Sequence, residues 1–318
     1  MNNRKRISLL IPVYNEGAGL DELYAALLPL LNNEKTSEPY DWEVLLVNDG
    51  SRDDSLQQLR RLHKRDPRVR YISLSRNFGK ENALLAGMDH VTGNATVIMD
   101  ADLQHPVSAI PQMIEKWGEG YDDVYGQRIT RGKESLIRRV MTMAYYRMLR
   151  SMSPRVEILP NVGDFRLLDR RVVNAIREMR ESQRYTKGLY CWVGFRKTAV
   201  PFRQEGRHNG ASSFGFRQLF NLAVEGITSY TTAPLRIASV TGLVTAMLAI
   251  LYMVFIVCKT VFIGEPIQGF PTLVCLILFL GGVQLVAIGI IGEYIGRIFV
   301  QTKGRPPYIL SEKDGEAV

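Results

Sequence analysis

The sequence contains little cysteine and little histidine, which argues against a disulfide-stapled or zinc-stabilised protein. Three cysteines and four histidines occur in 318 residues. Cys191, Cys258 and Cys275 lack the spacing of a zinc site or of a disulfide framework, and we interpret all three as packing residues. No histidine has a second candidate ligand at metal spacing, and His105 is expected to be an ordinary loop residue.

Charge is absent from two long stretches near the C-terminal end. No Asp, Glu, Lys or Arg occurs over 237–258 or over 266–292. Each stretch can cross a hydrocarbon core of about 30 Å, which needs roughly 20 apolar residues. Two buried core helices are the alternative, but neither stretch has the polar stripe of a surface helix. The sequence therefore predicts two transmembrane helices, at 236–264 and 270–298.

Basic residues lie on one side of both predicted spans. Arg217 and Arg236 precede the first span, and Arg297, Lys303 and Arg305 follow the second. By the positive-inside rule, this predicts a multi-pass protein of the plasma (inner) membrane whose N-terminal domain and both termini are cytoplasmic. The net charge of +8 suits anionic partners such as lipid head groups and phosphates. No recognised nucleic-acid motif accompanies it, so a nucleic-acid partner is not expected.

Strand and helix patterns alternate through the N-terminal part of the chain. Apolar runs predict strands at 7–13, 43–47, 69–74 and 95–99. Helical spacing predicts helices over 21–31, through Leu56, Leu59 and Leu62, and over 81–90. This alternation indicates an α/β fold with a parallel, doubly wound sheet.

An acidic motif follows the fourth predicted strand. Asp100-Ala101-Asp102 ends the apolar run, and Gln104 comes one alternation later. Open α/β sheets bind ligands at the carboxyl ends of their strands. Carboxylates two residues apart on extended backbone point the same way, so they can share one hard divalent cation. A solvated loop is the alternative for this motif taken alone.

Two amphipathic segments lie between the acidic motif and the first span. Basic residues from Arg128 to Arg139 are interleaved with apolar ones, which is typical of a basic helix. Residues 215–230 carry apolar side chains on one side, and we predict an interfacial helix over 211–235. A helix packed only on the soluble domain is the alternative.

Six short motifs occur in order along the chain. They are Ile11-Pro12-Val13-Tyr14-Asn15-Glu16, Val47-Asn48-Asp49-Gly50-Ser51, Leu74-Ser75-Arg76-Asn77-Phe78-Gly79-Lys80, Asp100-Ala101-Asp102-Leu103-Gln104, Gly163-Asp164-Phe165-Arg166-Leu167 and Ile291-Gly292-Glu293-Tyr294-Ile295-Gly296-Arg297. In order and spacing they resemble the membrane-anchored family 2 glycosyltransferases that glycosylate polyprenyl phosphates. The greatest similarity is to bacterial bactoprenol (undecaprenyl phosphate) glucosyltransferases, with dolichol-phosphate mannose synthases and aminoarabinose transferases as more distant relatives.

The resemblance implies a domain organisation. A GT-A catalytic domain, Rossmann-like with a mostly parallel sheet, is expected over 1–210. The interfacial helix and the two spans follow it, and 299–318 is expected to be a cytoplasmic tail. Glycines in the second span, such as Gly289 and Gly292, permit close helix contact and hence a homo-oligomer.

The resemblance also implies residues that bind a nucleotide sugar and a metal ion. The donor-binding residues are Pro12, Tyr14, Glu16, Asp49, Lys80 and Asp100. The ligands for Mg²⁺ or Mn²⁺ are Asp100, Asp102 and Gln104. Asp49 has a turn or helix-capping role as its alternative, Tyr14 a core aromatic role, and Glu16 a capping role.

The implied acceptor is a lipid phosphate, and this changes what catalysis requires. A phosphate monoester has a second pKa of about 6, so it arrives largely as a dianion and needs no strong base. The acceptor-phosphate residues are Arg128, Arg139, Arg207 and Ser212. The catalytic set is Asp102, Asp164 and Arg128.

Asp164 occupies the family's proposed acid/base position. We expect it to orient the acceptor or to pair with an arginine instead; a purely structural salt bridge to Arg166 or Arg170 is the alternative. Ser213 stands where the family's acceptor loop commonly has lysine, which removes one positive charge near the lipid phosphate.

The predicted reaction is inverting transfer of glucose from UDP-glucose to undecaprenyl phosphate on the cytoplasmic leaflet. Its product would be a lipid-linked sugar for cell-envelope or O-antigen modification. Alternative donors are UDP-aminoarabinose, UDP-N-acetylglucosamine and GDP-mannose. A non-catalytic membrane scaffold is the alternative from another class. A processive synthase is disfavoured because no Gln-x-x-Arg-Trp motif follows Asp164.

Overall fold

A computed structural model describes residues 4–129, 162–181, 184–203, scattered positions between 240 and 262, and 269–318. The chain divides into two units, one of 1–215 with 305–318 and one of 216–304. Arg139, Arg207, Ser212, Ser213 and the predicted interfacial helix lie outside the described residues, as does most of the predicted first span.

The first unit alternates strands and helices. Its strands are β1 (Arg6–Val13), β2 (Asp41–Asn48), β3 (Val69–Leu74), β4 (Ala95–Ile98), β5 (Asp123–Arg128), β6 (Val162–Asp169), β7 (Lys197–Phe202), β8 (Leu310–Lys313) and β9 (Glu316–Ala317). Its helices are α1 (Leu20–Leu31), α2 (Ser55–Arg65), α3 (Lys80–His90), α4 (Ile110–Gly118), α5 (Arg170–Glu178) and α6 (Thr186–Trp192). The four strands and three helices predicted up to residue 99 are confirmed, with ends within two residues.

The strands form one mixed sheet in the order β7-β5-β6-β4-β1-β2-β3-β8-β9. The central strands β3, β2, β1 and β4 are parallel to one another. By contrast, β6 runs antiparallel to both β4 and β5, and β8 runs antiparallel to β3. The α/β fold is confirmed, but the expectation of a mostly parallel sheet is met only in part. The edge strands β5 and β7 pair in parallel as the central strands do, whereas β6, β8 and β9 pair antiparallel with their neighbours.

The hydrophobic core lies on both faces of the sheet. Leu9 and Ile11 of β1 pack into one cluster with α1, α2 and α4, while Leu10 points to the other face and packs with α3 and α5. This alternation follows from the two-residue period of a strand. Gly87 allows α3 to approach β1 closely, because a Cβ there would lie 2.0 Å from Leu10 Cδ1. Helices on both faces bury the central strands completely and leave their ends as the accessible edge.

The C-terminal segment belongs to the sheet, a feature that sequence analysis missed. β8 pairs with β3 from Ile72↔Lys313 to Leu74↔Leu310. Arg70 donates to Asp314 at 3.0 Å, and Tyr308 Oη donates to Asp89 at 2.7 Å. Residues 305–318 of the predicted tail are therefore part of the first unit.

The second unit contributes one long described helix, α7 (Phe270–Thr302). Within the part of the chain that the structure describes, Phe279–Thr302 is the one helical segment long and apolar enough to cross a membrane. Leu285 and Ile288 are largely exposed, as expected of lipid-facing side chains. One of the two predicted spans is thus supported as a helix by the described residues.

Candidate active site

A cavity of about 280 Å³ lies where the parallel strands β1, β2 and β4 end. Such carboxyl-terminal edges are the usual ligand sites of open α/β sheets. The cavity is lined by Pro12, Val13, Tyr14, Glu16, Asp49, Asn77, Gly79, Lys80, Asp100, Ala101 and Asp102. The structure therefore brings together all six predicted donor residues and two of the three predicted metal ligands.

The end of β1 supplies an aromatic side chain to this cavity. Tyr14 is 45% exposed, so the alternative that it is a core aromatic is wrong. Glu16 makes no side-chain cap to the short helical turn that follows, which removes its capping alternative. An exposed ring beside a polar cavity is available to stack on a base.

Asp49, just past the end of β2, holds the loop that precedes α3. Its Oδ1 accepts from Phe78 N at 2.7 Å, and its Oδ2 accepts from Gly79 N at 3.0 Å. Burial raises the pKa of Asp49, and the two amide hydrogen bonds oppose that rise. The turn itself requires Gly50, which has φ 62° and would place a Cβ 2.3 Å from the backbone of Arg76. Asp49 thereby fixes the position from which Lys80 enters the cavity.

The acidic motif forms a tight turn after β4. Asp102 Oδ1 accepts from Gln104 N at 3.2 Å, and Leu103 adopts φ 56°. Asp100 and Asp102 both face the cavity, whereas Gln104 is 8% exposed and is not among the lining residues. Two of the three predicted metal ligands thus line the cavity, and the third does not.

His105 supports this turn from beneath and is more than an ordinary loop residue. Its ring stacks on Phe165 with centroids 4.8 Å apart, and its Nδ1 accepts from Asp100 N at 3.2 Å. Burial lowers its pKa, although Asp100 and Asp102 oppose that shift. The imidazole is therefore neutral, with Nδ1 as the acceptor. The sequence signal was weak, a lone histidine directly after the acidic motif.

Lys80, the first residue of α3, connects the acidic motif to β6. Its Nζ lies 2.5 Å from Asp100 Oδ1 and 3.0 Å from Asp164 Oδ2. Burial lowers the pKa of Lys80, but the two carboxylates raise it by more than burial lowers it. The net pKa shift is therefore upward, and the amine is charged. One cation therefore pairs with two carboxylates that sequence reasoning treated separately, and the three groups together keep one net negative charge.

Asp164 pairs with this lysine and with neither predicted arginine. Arg166 instead forms a buried ion pair with Asp123 at 3.0 Å, and Arg170 donates to the carbonyl of Gly93. The alternative of a salt bridge from Asp164 to Arg166 or Arg170 is therefore wrong. Asp164 and Arg166 are two residues apart and share one face of β6, but the Arg166 guanidinium reaches Asp123 on the neighbouring strand β5 instead.

Asp164 remains ionised in this setting. Burial raises the pKa of its carboxyl, but the positive charges of Lys80, Lys187 and Arg166 together lower it by more than burial raises it. The net pKa is therefore below the ordinary value. Its second oxygen, Oδ1, is buried and has no hydrogen-bond partner among the described residues. Lys187, at the start of α6, is a nearby cation that sequence analysis did not single out.

Arg128 is the one predicted acceptor-phosphate residue within the described ranges. It ends β5, and its Nη2 lies 3.8 Å from the position that a Cβ would take on Gly163, the residue before Asp164. It also lies close enough to influence the pKa of His105. A guanidinium thus stands beside the same stretch of β6 as the Lys80–Asp164 pair.

The residues present fit a divalent cation held with a diphosphate. Among the described residues, no group of three His, Cys, Asp or Glu side chains is arranged to hold a metal on its own. Mg²⁺ is commonly bound through one or two carboxylates together with substrate phosphates and water. Asp100 and Asp102 supply that number of carboxylates at the cavity wall.

Comparison with known proteins identifies the family of this chain. Residues 8–177 match the family described as Glycosyl transferase family 2, and residues 233–298 match the GtrB C-terminal hairpin. The bactoprenol glucosyl transferase of Shigella phage SfX is 40% identical over 97% of this chain and 99% of its own length. The uncharacterized glycosyltransferase sll0501 of Synechocystis sp. is 42% identical over 96% and 95%.

Among solved structures, a mannosyltransferase of Pyrobaculum calidifontis in complex with GDP-Man and Mn²⁺ aligns with a TM-score of 0.42 at 19% identity. That alignment covers 63% of this chain and 56% of the mannosyltransferase. A likeness at this level is too low to support an argument, so the assignment rests on the family match.

Proposed function

The chain belongs to glycosyltransferase family 2, and we propose that it transfers glucose from UDP-glucose to undecaprenyl phosphate with inversion at the sugar carbon. The observation that carries the proposal is 40% identity to a bactoprenol glucosyl transferase across almost the whole length of both chains. The product would be a lipid-linked glucose for cell-envelope or O-antigen modification.

The cavity would hold the nucleotide sugar. Tyr14 offers a ring face for the uracil, and Asp49 retains lone pairs for a uracil N–H beyond those that accept from the 76–79 loop. Asp100 and Asp102 would hold Mg²⁺ or Mn²⁺, which when bound would neutralise charge on the departing diphosphate. Pro12 and Glu16 complete the wall at the end of β1.

The lipid phosphate would be held by cations, with no strong base needed. Its dianion is already nucleophilic at neutral pH. Arg128 stands beside β6 near Asp164, and Arg139, Arg207 and Ser212 are expected to join it. Asp164, kept ionised by Lys80, would orient this arrangement instead of removing a proton.

The sheet supports a two-span topology. Strands β1 to β7 precede the predicted membrane segment in the sequence, and β8 follows it. All of them are hydrogen-bonded into one sheet, so they lie on the same side of the membrane. The chain between them must therefore cross an even number of times. We propose α7 as one crossing and a second crossing within 204–268, which the hairpin match over 233–298 supports. The basic flanks support a cytoplasmic position for this shared side.

Product formation tests the reaction directly. Purified protein in detergent, with Mn²⁺ and a short-chain polyprenyl phosphate, would be given UDP-glucose, UDP-N-acetylglucosamine, UDP-aminoarabinose or GDP-mannose in parallel. We expect a glycosyl phospholipid with UDP-glucose and little with the other donors. Faster transfer from another donor would reassign the sugar, and UDP release that is the same without acceptor would contradict the lipid phosphate.

Reporter fusions test the topology. A reporter fused after Val318 should behave as cytoplasmic, and one inserted near Gln268 should behave as external. The opposite pattern would separate the cavity from its nucleotide-sugar supply and would contradict the proposed function.

A further inference from the structure

The amine of Lys80 lies at the acidic motif. It is 2.5 Å from Asp100 Oδ1 and 3.0 Å from Asp164 Oδ2, and it lines the same cavity as Asp102. We infer that Lys80 is an internal counter-cation that competes with the divalent ion for Asp100, so that metal binds weakly until a nucleotide diphosphate accompanies it. This inference rests on the proposed function, because it takes Asp100 and Asp102 as the metal ligands.

The physical basis is repulsion between like charges in a partly buried space. Lys80 Nζ pairs with Asp100 and Asp164, so its single positive charge offsets part of the negative charge that Asp100, Asp102 and Asp164 bring together here. A divalent ion on Asp100 would stand a few ångströms from the ammonium, and the two like charges would repel each other. Lys80 therefore lowers the affinity of the acidic motif for a divalent ion that arrives without a counter-anion.

A diphosphate changes this balance. Its negative charges give both cations a partner, so the divalent ion can take Asp100 and Asp102 while Lys80 stays on Asp164 or turns to the phosphates. The Lys80 side chain can turn in this way because only its backbone is fixed. That backbone begins α3, and Asp49 holds it through a hydrogen bond from Gly79 N in the loop before the helix. Metal and nucleotide should then bind with strong mutual dependence, as linkage requires.

Lys80 is on this basis a positioning residue whose effect is visible without any glycosyl transfer. Lys80→Met removes the charge and keeps an unbranched side chain of similar length. Lys80→Arg keeps the charge and is the matched control. Asp102→Asn reports how much of the signal comes from the acidic motif.

The experiment titrates full-length protein in detergent with Mn²⁺, with and without UDP. Electron paramagnetic resonance of the free ion measures how much Mn²⁺ is bound at each step. We expect Lys80→Met to bind Mn²⁺ at least about tenfold more tightly than wild type when UDP is absent. With UDP present the two should differ much less, so the gain in affinity that UDP gives becomes smaller. Lys80→Arg should behave as wild type, and Asp102→Asn should weaken Mn²⁺ binding in every background.

Equal Mn²⁺ affinity in wild type and Lys80→Met without UDP, or no Mn²⁺ binding in either, overturns the inference. If Lys80→Met does not fold, judged by its thermal unfolding, Lys80→Gln takes its place with the same expected change. The titration contains no acceptor and no sugar. A wrong sugar or acceptor in the proposed function would therefore leave its result unchanged, and only the product assay would detect that error.

Discussion

Ion pairs are arranged differently in two regions of the catalytic domain. In the cavity, Lys80 is the one ion-pair partner that Asp100 and Asp164 have among the described residues, and Oδ1 of Asp164 has no hydrogen-bond partner there. Around the C-terminal segment, by contrast, Asp89 of α3, Glu312 and Asp314 each have several donors. Asp89 accepts from Arg177, Arg180 and Tyr308.

The carboxylates of β8 and its turn show the same surplus of donors. Glu312 accepts from Arg60 and from the hydroxyl of Tyr71, and Asp314 accepts from Arg70 and from the backbone N–H of Tyr71. Carboxylates with several donors hold a strand in place, whereas carboxylates that share one cation leave charge available to a ligand. We therefore expect changes in the cavity to affect the reaction more than the fold, and changes at the C-terminal segment to do the reverse.

The largest expected effect comes from Asp102→Asn. Turnover should fall at least about 10²-fold, the scale of losing one preorganised charge contact in the transition state. The thermal unfolding midpoint should stay near wild type, because the Asp102 side chain accepts one local backbone hydrogen bond, from Gln104 N. Initial rates of UDP release with Mn²⁺ and acceptor measure the first quantity.

Asp21→Asn is the matched control, since it removes an exposed carboxylate whose partner is Arg61. It should change neither rate nor unfolding. Near-normal turnover of wild type in EDTA, or of the Asp102 variant with Mn²⁺, would contradict the role of the acidic motif.

Asp164→Asn should lower the rate roughly tenfold, the loss of about 1.4 kcal/mol from one charge-assisted contact. Activity should rise with pH through about 6 in wild type and in the variant, because the titrating group is the acceptor phosphate. Asp164 does not titrate in this range, since Lys80, Lys187 and Arg166 outweigh its burial and keep its pKa below the ordinary value.

The measurement is kcat/KM against pH with a soluble short-chain acceptor. If the ascending limb disappears in Asp164→Asn, Asp164 is the general base after all. Asp164→Ala should be slower than Asp164→Asn, because alanine removes the polar contact with Lys80 as well as the charge.

Where α3 meets the C-terminal segment, Asp89→Asn should reduce the free energy of unfolding by about 1–3 kcal/mol, because it weakens hydrogen bonds from charged donors to a buried oxygen pair. Denaturant unfolding in detergent gives this value. The rate per folded molecule should be unchanged, since Asp89 lies outside the cavity lining. A large drop in rate at unchanged stability would remove the distinction between the two regions.

The same variant carries a pH test. Burial raises the pKa of Asp89, but Arg180, Tyr308 and Arg177 together lower it by more than burial raises it. The pKa of Asp89 in the folded protein is therefore below the unfolded value of about 3.9. The stabilisation is therefore present above about pH 4 and is lost as pH falls below it. Asp89→Asn should show a flatter loss of stability in acid, and an unchanged slope would contradict this assignment.

The smallest expected effect is that of Tyr308→Phe. It removes one hydroxyl donor, at 2.7 Å from Asp89, and should cost about 0.5–1.5 kcal/mol of unfolding free energy. Tyr14→Phe, at an exposed ring, should leave the unfolding free energy unchanged. A cost from Tyr308→Phe as large as that from Asp89→Asn would mean that the arginines contribute little to this junction.

Much of the site could be predicted because its motifs lie at strand ends. Tyr14, Asp49 and Asp100 each follow a strand that local periodicity identifies, and parallel strands bring those ends to one edge. The partners of these residues could not be predicted in the same way. Asp164 was expected beside an arginine nearby in sequence, but a lysine from α3 is closer in space.

The sequence by itself determined the central strands, the acidic turn after β4 and the apolar stretches, because each is written in a local pattern of a few to about 20 residues. The tertiary structure decided which charges meet. β8 pairs with β3 because that strand's outer edge is open, and Lys80 lies between Asp100 and Asp164 because α3 begins where β4 and β6 run side by side. Such contacts depend on chain segments far apart in sequence, whose approach is set by sheet order and not by any local period.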